Sequence, residues 1–197
     1  MRAFGGYLPL ELPSGDDYFA ALEDGKEVLR LNSAKTALWV LLRALEMERV
    51  ALPKYLCPSV KDVLRQGVPD LLFYELDDEL MPQLAPEEVE DRWVFVVNYF
   101  GLLDLSDLPY ERCIVDQAHG FYAKPILRPH VYTLYSCKKF FGVPDGGYLV
   151  GDVDEAWVSD LLPEHVHEHF SYLVSSAEVG TEKDYAQKQA ADRYLTR

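Results

Sequence analysis

Cysteine is scarce in this chain: three residues in 197, Cys57, Cys113 and Cys137, odd in number and far apart. Without a C-x-x-C pair, neither a disulfide framework nor a thiolate metal site is expected. Positive charge is also short, with 19 Lys and Arg against 33 Asp and Glu and a formal net charge of −14. Nucleic-acid phosphates and anionic membranes are held by basic surface, so neither is an expected partner. Long hydrophobic runs are missing, and none approaches the about 20 residues that a membrane span requires. The chain opens without a basic segment leading into an apolar one, so no signal peptide is expected and a reducing cytoplasm is the expected setting. Neither a G-x-G-x-x-G after the first strand nor a G-x-x-x-x-G-K-[ST] loop occurs, which weighs against the common nucleotide-binding turns.

What is present is an ordinary globular balance, 49% hydrophobic and 26% charged, in a length that builds one sizeable core. The first 25 residues mix Gly, Pro and aromatics without a period and read as an irregular arm. Short apolar runs then alternate with helical ones. Strands are expected at Glu27 to Leu31, Val50 to Leu52, Leu71 to Tyr74, Trp93 to Val97, Cys113 to Val115, Val131 to Tyr135 and Gly147 to Val150. Helices are expected at Ser33 to Met47 and at Ser59 to Gln66, the latter stopped by Gly67, with two more at Glu164 to Ser175 and Glu182 to Leu195. Runs that are continuous rather than alternating mean burial on both sheet faces. The fold class is therefore α/β, a mostly parallel sheet flanked by helices on both faces.

Ligands of such a sheet bind beyond the carboxyl ends of its strands. Polar residues stand at five of those ends: Asn32 and Ser33, Tyr55, Asn98, Asp116, and the segment Ser136 to Lys139. The last opens Ser136-Cys137-Lys138-Lys139-Phe140-Phe141-Gly142-Val143-Pro144-Asp145-Gly146-Gly147. A lysine is the side chain that forms a Schiff base with an aldehyde cofactor, a hydroxyl three residues back can reach a phosphate, and paired glycines admit close backbone approach. Adjacent lysines on an extended segment point to opposite faces, so one of the two serves, and the spacing favours Lys139. Asp116 can hold a pyridine nitrogen protonated, which makes the ring an electron sink. His119 can bond a phenolic oxygen or stack near the ring. Ser33, Ala34 and Lys35 open a helix whose free N–H groups can cradle phosphate, although Ser33 read alone is a helix N-cap. Pyridoxal 5′-phosphate (PLP) is the cofactor these residues suit. His165, His167 and His169 form no ligand set, because only the first and last share a helical face.

Ile114-Val115-Asp116-Gln117-Ala118-His119 and the lysine segment together resemble the DegT/StrS family of fold-type-I PLP aminotransferases. Leu52 to Val60, Asn98-Tyr99-Phe100-Gly101 and Phe4-Gly5-Gly6-Tyr7 fit the same pattern in order and spacing. The resemblance implies Lys139 as the Schiff-base lysine, Asp116 as the pyridine partner, His119 near the phenolic oxygen, and Ser136 with the backbone at Ala34 and Lys35 on the phosphate. It also implies transfer of an amino group, often from glutamate, to a keto group of a nucleotide-linked sugar, in a homodimer. Cys57 stands where many members carry an aromatic that stacks on the ring, a place Tyr55 or His119 would fill. Members continue into a small C-terminal domain. The expected organisation is an arm over 1–25, a PLP-binding large domain over 26–175 and the start of a truncated C-terminal region over 176–197. Two readings follow, an aminotransferase or a non-catalytic relic of the fold that serves as a binding module.

Overall fold

The computed structural model describes residues 27–143 and 145–159, together with 15, 18 and 19. The expected arm, the two C-terminal helices, the three clustered histidines and the 176–197 region lie outside the described residues. Seven strands form one sheet: β1 (Glu27–Leu31), β2 (Arg49–Pro53), β3 (Asp70–Tyr74), β4 (Trp93–Val97), β5 (Cys113–Asp116), β6 (Val131–Ser136) and β7 (Gly147–Gly151). Their order is β1-β7-β6-β5-β4-β2-β3. The ladders among β3, β2, β4, β5 and β6 are parallel, and β7 runs antiparallel to both its neighbours. All strands but β7 therefore end at one edge, and β7 begins there.

The continuous apolar runs do bury both faces. Along β4, Phe95 and Val97 join one cluster while Val94 and Val96 join another, the period-two alternation of a pleated strand. The first cluster takes Leu52, Phe95, Ile114, Leu134 and Leu149 from the sheet and packs them under two helices, α1 (Ala34–Ala44) and α2 (Pro58–Gly67). Helix α1 delivers Ala37, Leu38, Val40, Leu41 and Leu42, all buried, because its apolar residues recur at helical spacing. Among the described residues the opposite face is covered by loop residues, chiefly Val89, Leu105, Leu108 and Tyr110. A smaller cluster of Phe19, Val28, Phe121, Tyr135 and Val150 closes that face toward β1 and β7.

Gly67 corrects one expectation. It is the last residue of α2 rather than a left-handed stop, and the helix is capped by Val68, whose N–H bonds the Leu64 carbonyl. The reason for a glycine is closeness, since a Cβ there would lie 3.0 Å from the Leu42 methyl. Among the described residues no helix is long and apolar enough to cross a membrane.

Candidate active site

The edge where six strands end gathers the polar residues that the sequence singled out. Ser33 caps α1, its Oγ accepting the Thr36 N–H at 3.1 Å. Gly147, which opens β7, lies against that helix start: a Cβ on it would come within 2.4 Å of the Ser33 carbonyl carbon and 2.6 Å of the Ala34 nitrogen. The Gly146 N–H also donates to the Asn32 carbonyl at 2.7 Å, and the Cys137 N–H donates to Gly146 at 3.0 Å. The paired glycines thus dock the lysine loop on the N-terminus of α1, which brings Ser136 and the Ala34–Lys35 backbone to the same place. No side chain can substitute at Gly147 without moving main chain.

Lys138 and Lys139 are not extended. Cys137–Lys139 form a 3-10 turn in which the Cys137 carbonyl accepts the N–H groups of both Phe140 and Phe141. This overturns the expectation of an extended segment with the two lysines on opposite faces, and a direct contact distinguishes Lys139 instead. Lys139 Nζ lies 2.8 Å from His119 Nε2.

Asp116 ends β5 and is 7% exposed. One carboxylate oxygen accepts the Ala118 N–H at 2.8 Å. Burial pushes its carboxyl above the ordinary range, against the opposing pull of that N–H and of the Lys139 charge. A buried carboxylate held this way is poised for a cationic partner. Burial, and then the Lys139 charge, lower the basicity of His119.

Asn98, expected among the cofactor-binding residues, is engaged here within the protein. It is 1% exposed and its amide is fully used: the carbonyl takes the Leu103 N–H at 3.0 Å, and the NH2 donates to Gln117 Oε1 at 2.9 Å and to the Leu103 carbonyl. It ties the loop after β4 to the loop after β5 and so fixes Asp116 and His119 from beneath. Tyr55 is exposed, with its ring stacked on Tyr99 at 5.6 Å and 29°. Tyr99 in turn donates its hydroxyl to the Tyr55 carbonyl.

Sequence reasoning assigned no role to Gln117 or Phe100, and noted Cys57 only for the aromatic it replaces. Gln117 is buried as the partner of Asn98, and only the fold reveals that pairing. Phe100 stacks on the His119 ring with centroids 6.0 Å apart and planes at 20°. The aromatic followed by glycine in Tyr99-Phe100-Gly101 was its one visible signal. Cys57 stands at the start of α2, close enough for Lys139 to act on its thiol. Burial alone would raise that thiol, but the Ser59 hydroxyl 3.2 Å away, first-turn N–H groups and the Lys139 charge together lower it.

The residues present fit the group that the resemblance implies. A buried carboxylate, a lysine amine whose charge acts on it, and a helix start approached by glycine main chain are a donor set that suits a ring nitrogen, an aldehyde and a phosphate.

No protein-family model and no curated protein sequence matches the chain. Solved structures do match. A DegT DnrJ EryC1 StrS aminotransferase from Brucella abortus aligns with a TM-score of 0.54 at 16% identity, over 74% of this chain and 50% of that one. Histidinol-phosphate aminotransferase from Clostridium acetobutylicum aligns at 0.53 and 15%, over 85% and 57%. DesI, solved in the presence of its TDP-sugar product, aligns at 0.52 and 21%, over 68% and 39%. The chain spans about half the length of these structures. The fold is the α/β fold of these aminotransferases.

Proposed function

We propose that this chain is the cofactor-binding part of a PLP-dependent aminotransferase that moves an amino group, from glutamate, to a keto group of a nucleotide-linked sugar. The observation that carries the reading is the convergence, at one sheet edge, of Lys139, Asp116 and the glycine-docked start of α1. Likeness in fold to aminotransferases supports it, and DesI, with its TDP-sugar product, supports the sugar substrate.

Bound there, the cofactor would supply an aldehyde for the amino group and a ring to take up electrons. Lys139 would carry that aldehyde in the resting enzyme and move the proton between the donor and acceptor carbons. Asp116 would hold the ring nitrogen protonated, gaining the cation its burial lacks. The Ser136 hydroxyl and the N–H groups of Ala34 and Lys35 would hold the phosphate, with Ser33 fixing the helix start that presents them. His119 would meet the phenolic oxygen. Tyr55 lies at the rim and Asn98 supports the site from below. Residues 26–175 form the large domain in this reading, with 1–25 as an arm and 176–197 entering a further region. The active form is a homodimer in the cytoplasm.

The test is a visible spectrum of the protein titrated with pyridoxal phosphate, followed by borohydride reduction and peptide mass mapping. A shifted band with a reduced adduct on Lys139 is expected, and glutamate with keto-sugar nucleotides would then be assayed. No band and no adduct would shift the reading to a non-catalytic module of the same fold.

A further inference from the structure

We propose that His119 presents the Lys139 amine, and that Phe100 is the positioning residue that holds the imidazole in the plane required. The proposal rests on the reading of Lys139 as the cofactor-bearing amine. Among the described residues, the hydrogen bond of Lys139 Nζ goes to His119 Nε2. The other ring nitrogen of His119, Nδ1, is buried without a partner. The ring is therefore located by two contacts, Lys139 at its edge and Phe100 against its face.

Phe100 is placed at some strain. Its φ of 58° and ψ of 9° put a bulky residue in the left-handed region, and its side chain is 63% exposed. Neither local preference nor burial accounts for that conformation, and strain of this kind persists where the surroundings impose it. The surroundings here are tight. Gly101 follows with φ 71°, and a Cβ on it would lie 2.8 Å from the His119 carbonyl oxygen. At Gly120 a Cβ would lie 3.2 Å from both the Gly101 Cα and Asn98 Nδ2. The loop after β4 is thus pressed on the loop after β5, and the left-handed turn swings the Phe100 ring onto the imidazole. Stacking is the contact that the strained conformation makes.

An ammonium only donates, so with Lys139 charged the bond needs a bare Nε2 and places the imidazole proton on Nδ1. Burial and the Lys139 charge both favour the neutral ring. The Lys139 charge also acts on Asp116 at the end of β5 and on Cys57 at the start of α2, and Lys138 precedes it in the turn. His119 alone among them holds the amine by a described hydrogen bond. Capture by an aldehyde first needs the ammonium to lose a proton, which the bare Nε2 beside it can accept. The nitrogen then bonds the carbonyl carbon and the carbonyl oxygen leaves as water, so the one exchangeable bond at rest is also the route for the proton.

The experiment uses the full chain with 15N-labelled histidine and no cofactor, reading the His119 tautomer from long-range 1H–15N correlation spectra. The wild type is expected to show a protonated Nδ1 and a bare Nε2. Lys139→Met should return His119 to the common Nε2–H tautomer, Phe100→Ala should give a mixture, and Phe100→Tyr should restore the wild-type pattern. Pyridoxal phosphate trapping by borohydride follows on the same proteins. His119→Phe, which keeps a ring for stacking, should raise the concentration for half-maximal trapping on Lys139 by about tenfold, the worth of one hydrogen bond, and His119→Gln should recover most of it. An Nε2–H tautomer in the wild type that ignores Lys139→Met overturns the proposal, as does unchanged trapping in His119→Phe. If the tautomer responds as expected but the wild type traps nothing, the cofactor reading falls and the His119–Lys139 pair stands.

Discussion

The two edges of the sheet handle charge in opposite ways. At the edge where β2 to β4 begin, Asp70 accepts from Arg49 at 3.0 Å and from Arg92 at 2.8 Å, and Arg49 also meets Asp91. Asp70, Arg49 and Asp91 are partly solvated and Arg92 is largely covered, but all are matched, and Arg92 first, then Arg49, hold the Asp70 carboxyl below the ordinary range. At the edge where the parallel strands end, Asp116 is buried and its carboxyl is held high, while Lys139 bonds the His119 ring, whose basicity burial lowers. Arginine opens β2 at 49 and stands before β4, β5 and β6 at 92, 112 and 128, and lysines follow β1, β2 and β6 at 35, 54, 138 and 139. Matched charge stabilises a fold, whereas a carboxylate buried against its own hydration costs stability.

The sharpest break of the comparison is chemical. Lys139→Ala should abolish the borohydride-trapped pyridoxal phosphate adduct, while Lys138→Ala should leave it, as read by peptide mass mapping. An adduct on Lys138 in the wild type would reverse the assignment.

Next comes a pair of carboxylates with opposite signs. Asp116→Asn should weaken pyridoxal phosphate binding by about tenfold to a hundredfold, the worth of a charge-assisted hydrogen bond. Without cofactor the same change should stabilise the fold. Because folding raises this carboxyl, the folded form loses stability as pH rises from about 3.9, the unfolded value, through the folded value. The advantage of Asp116→Asn in urea unfolding should thus be larger at pH 7 than near pH 4. Equal midpoints for the two proteins at pH 7 would mean that burial of Asp116 carries no penalty.

Gly147→Ala should destabilise by about 1–3 kcal/mol, as overpacking against main chain does, and should also weaken cofactor binding, because the clash falls on the start of α1. Thermal unfolding measures the first effect and the spectral titration the second.

The smallest effect is expected at the matched edge. Asp70→Asn should lower the urea midpoint slightly at neutral pH and leave pyridoxal phosphate trapping untouched. Folding lowers this carboxyl, so its contribution is present above about pH 3.9 and is lost as pH falls through the folded value. A change in trapping would show that the two edges are coupled.

Much of this was open to reading before any coordinates. All seven strands lie where short apolar runs stand, because a strand buried on both faces carries its signal in consecutive residues. The polar residues at the strand ends do reach one edge, since parallel topology sends every such end the same way. What escaped was contact between segments distant in sequence. Asn98 is a strut because Gln117 and Leu103 surround it, and nothing in its own neighbourhood announces that. Lys139 meets His119 because a 3-10 turn, not an extended strand end, carries it there.

The sequence by itself determined the order of elements, the sheet class and which polar residues stand at the strand ends. Apolar periodicity and strand-end position are local properties, and they survive without knowledge of neighbours. Tertiary structure alone decided which polar groups are consumed by the scaffold and which stay poised. That division depends on burial and on partners brought together across the sheet, from the tight approach of Gly147 to Ser33 to the stacking of Phe100 on His119. Hydrogen bonds and desolvation act through space at a few ångströms, and chain order does not record those distances.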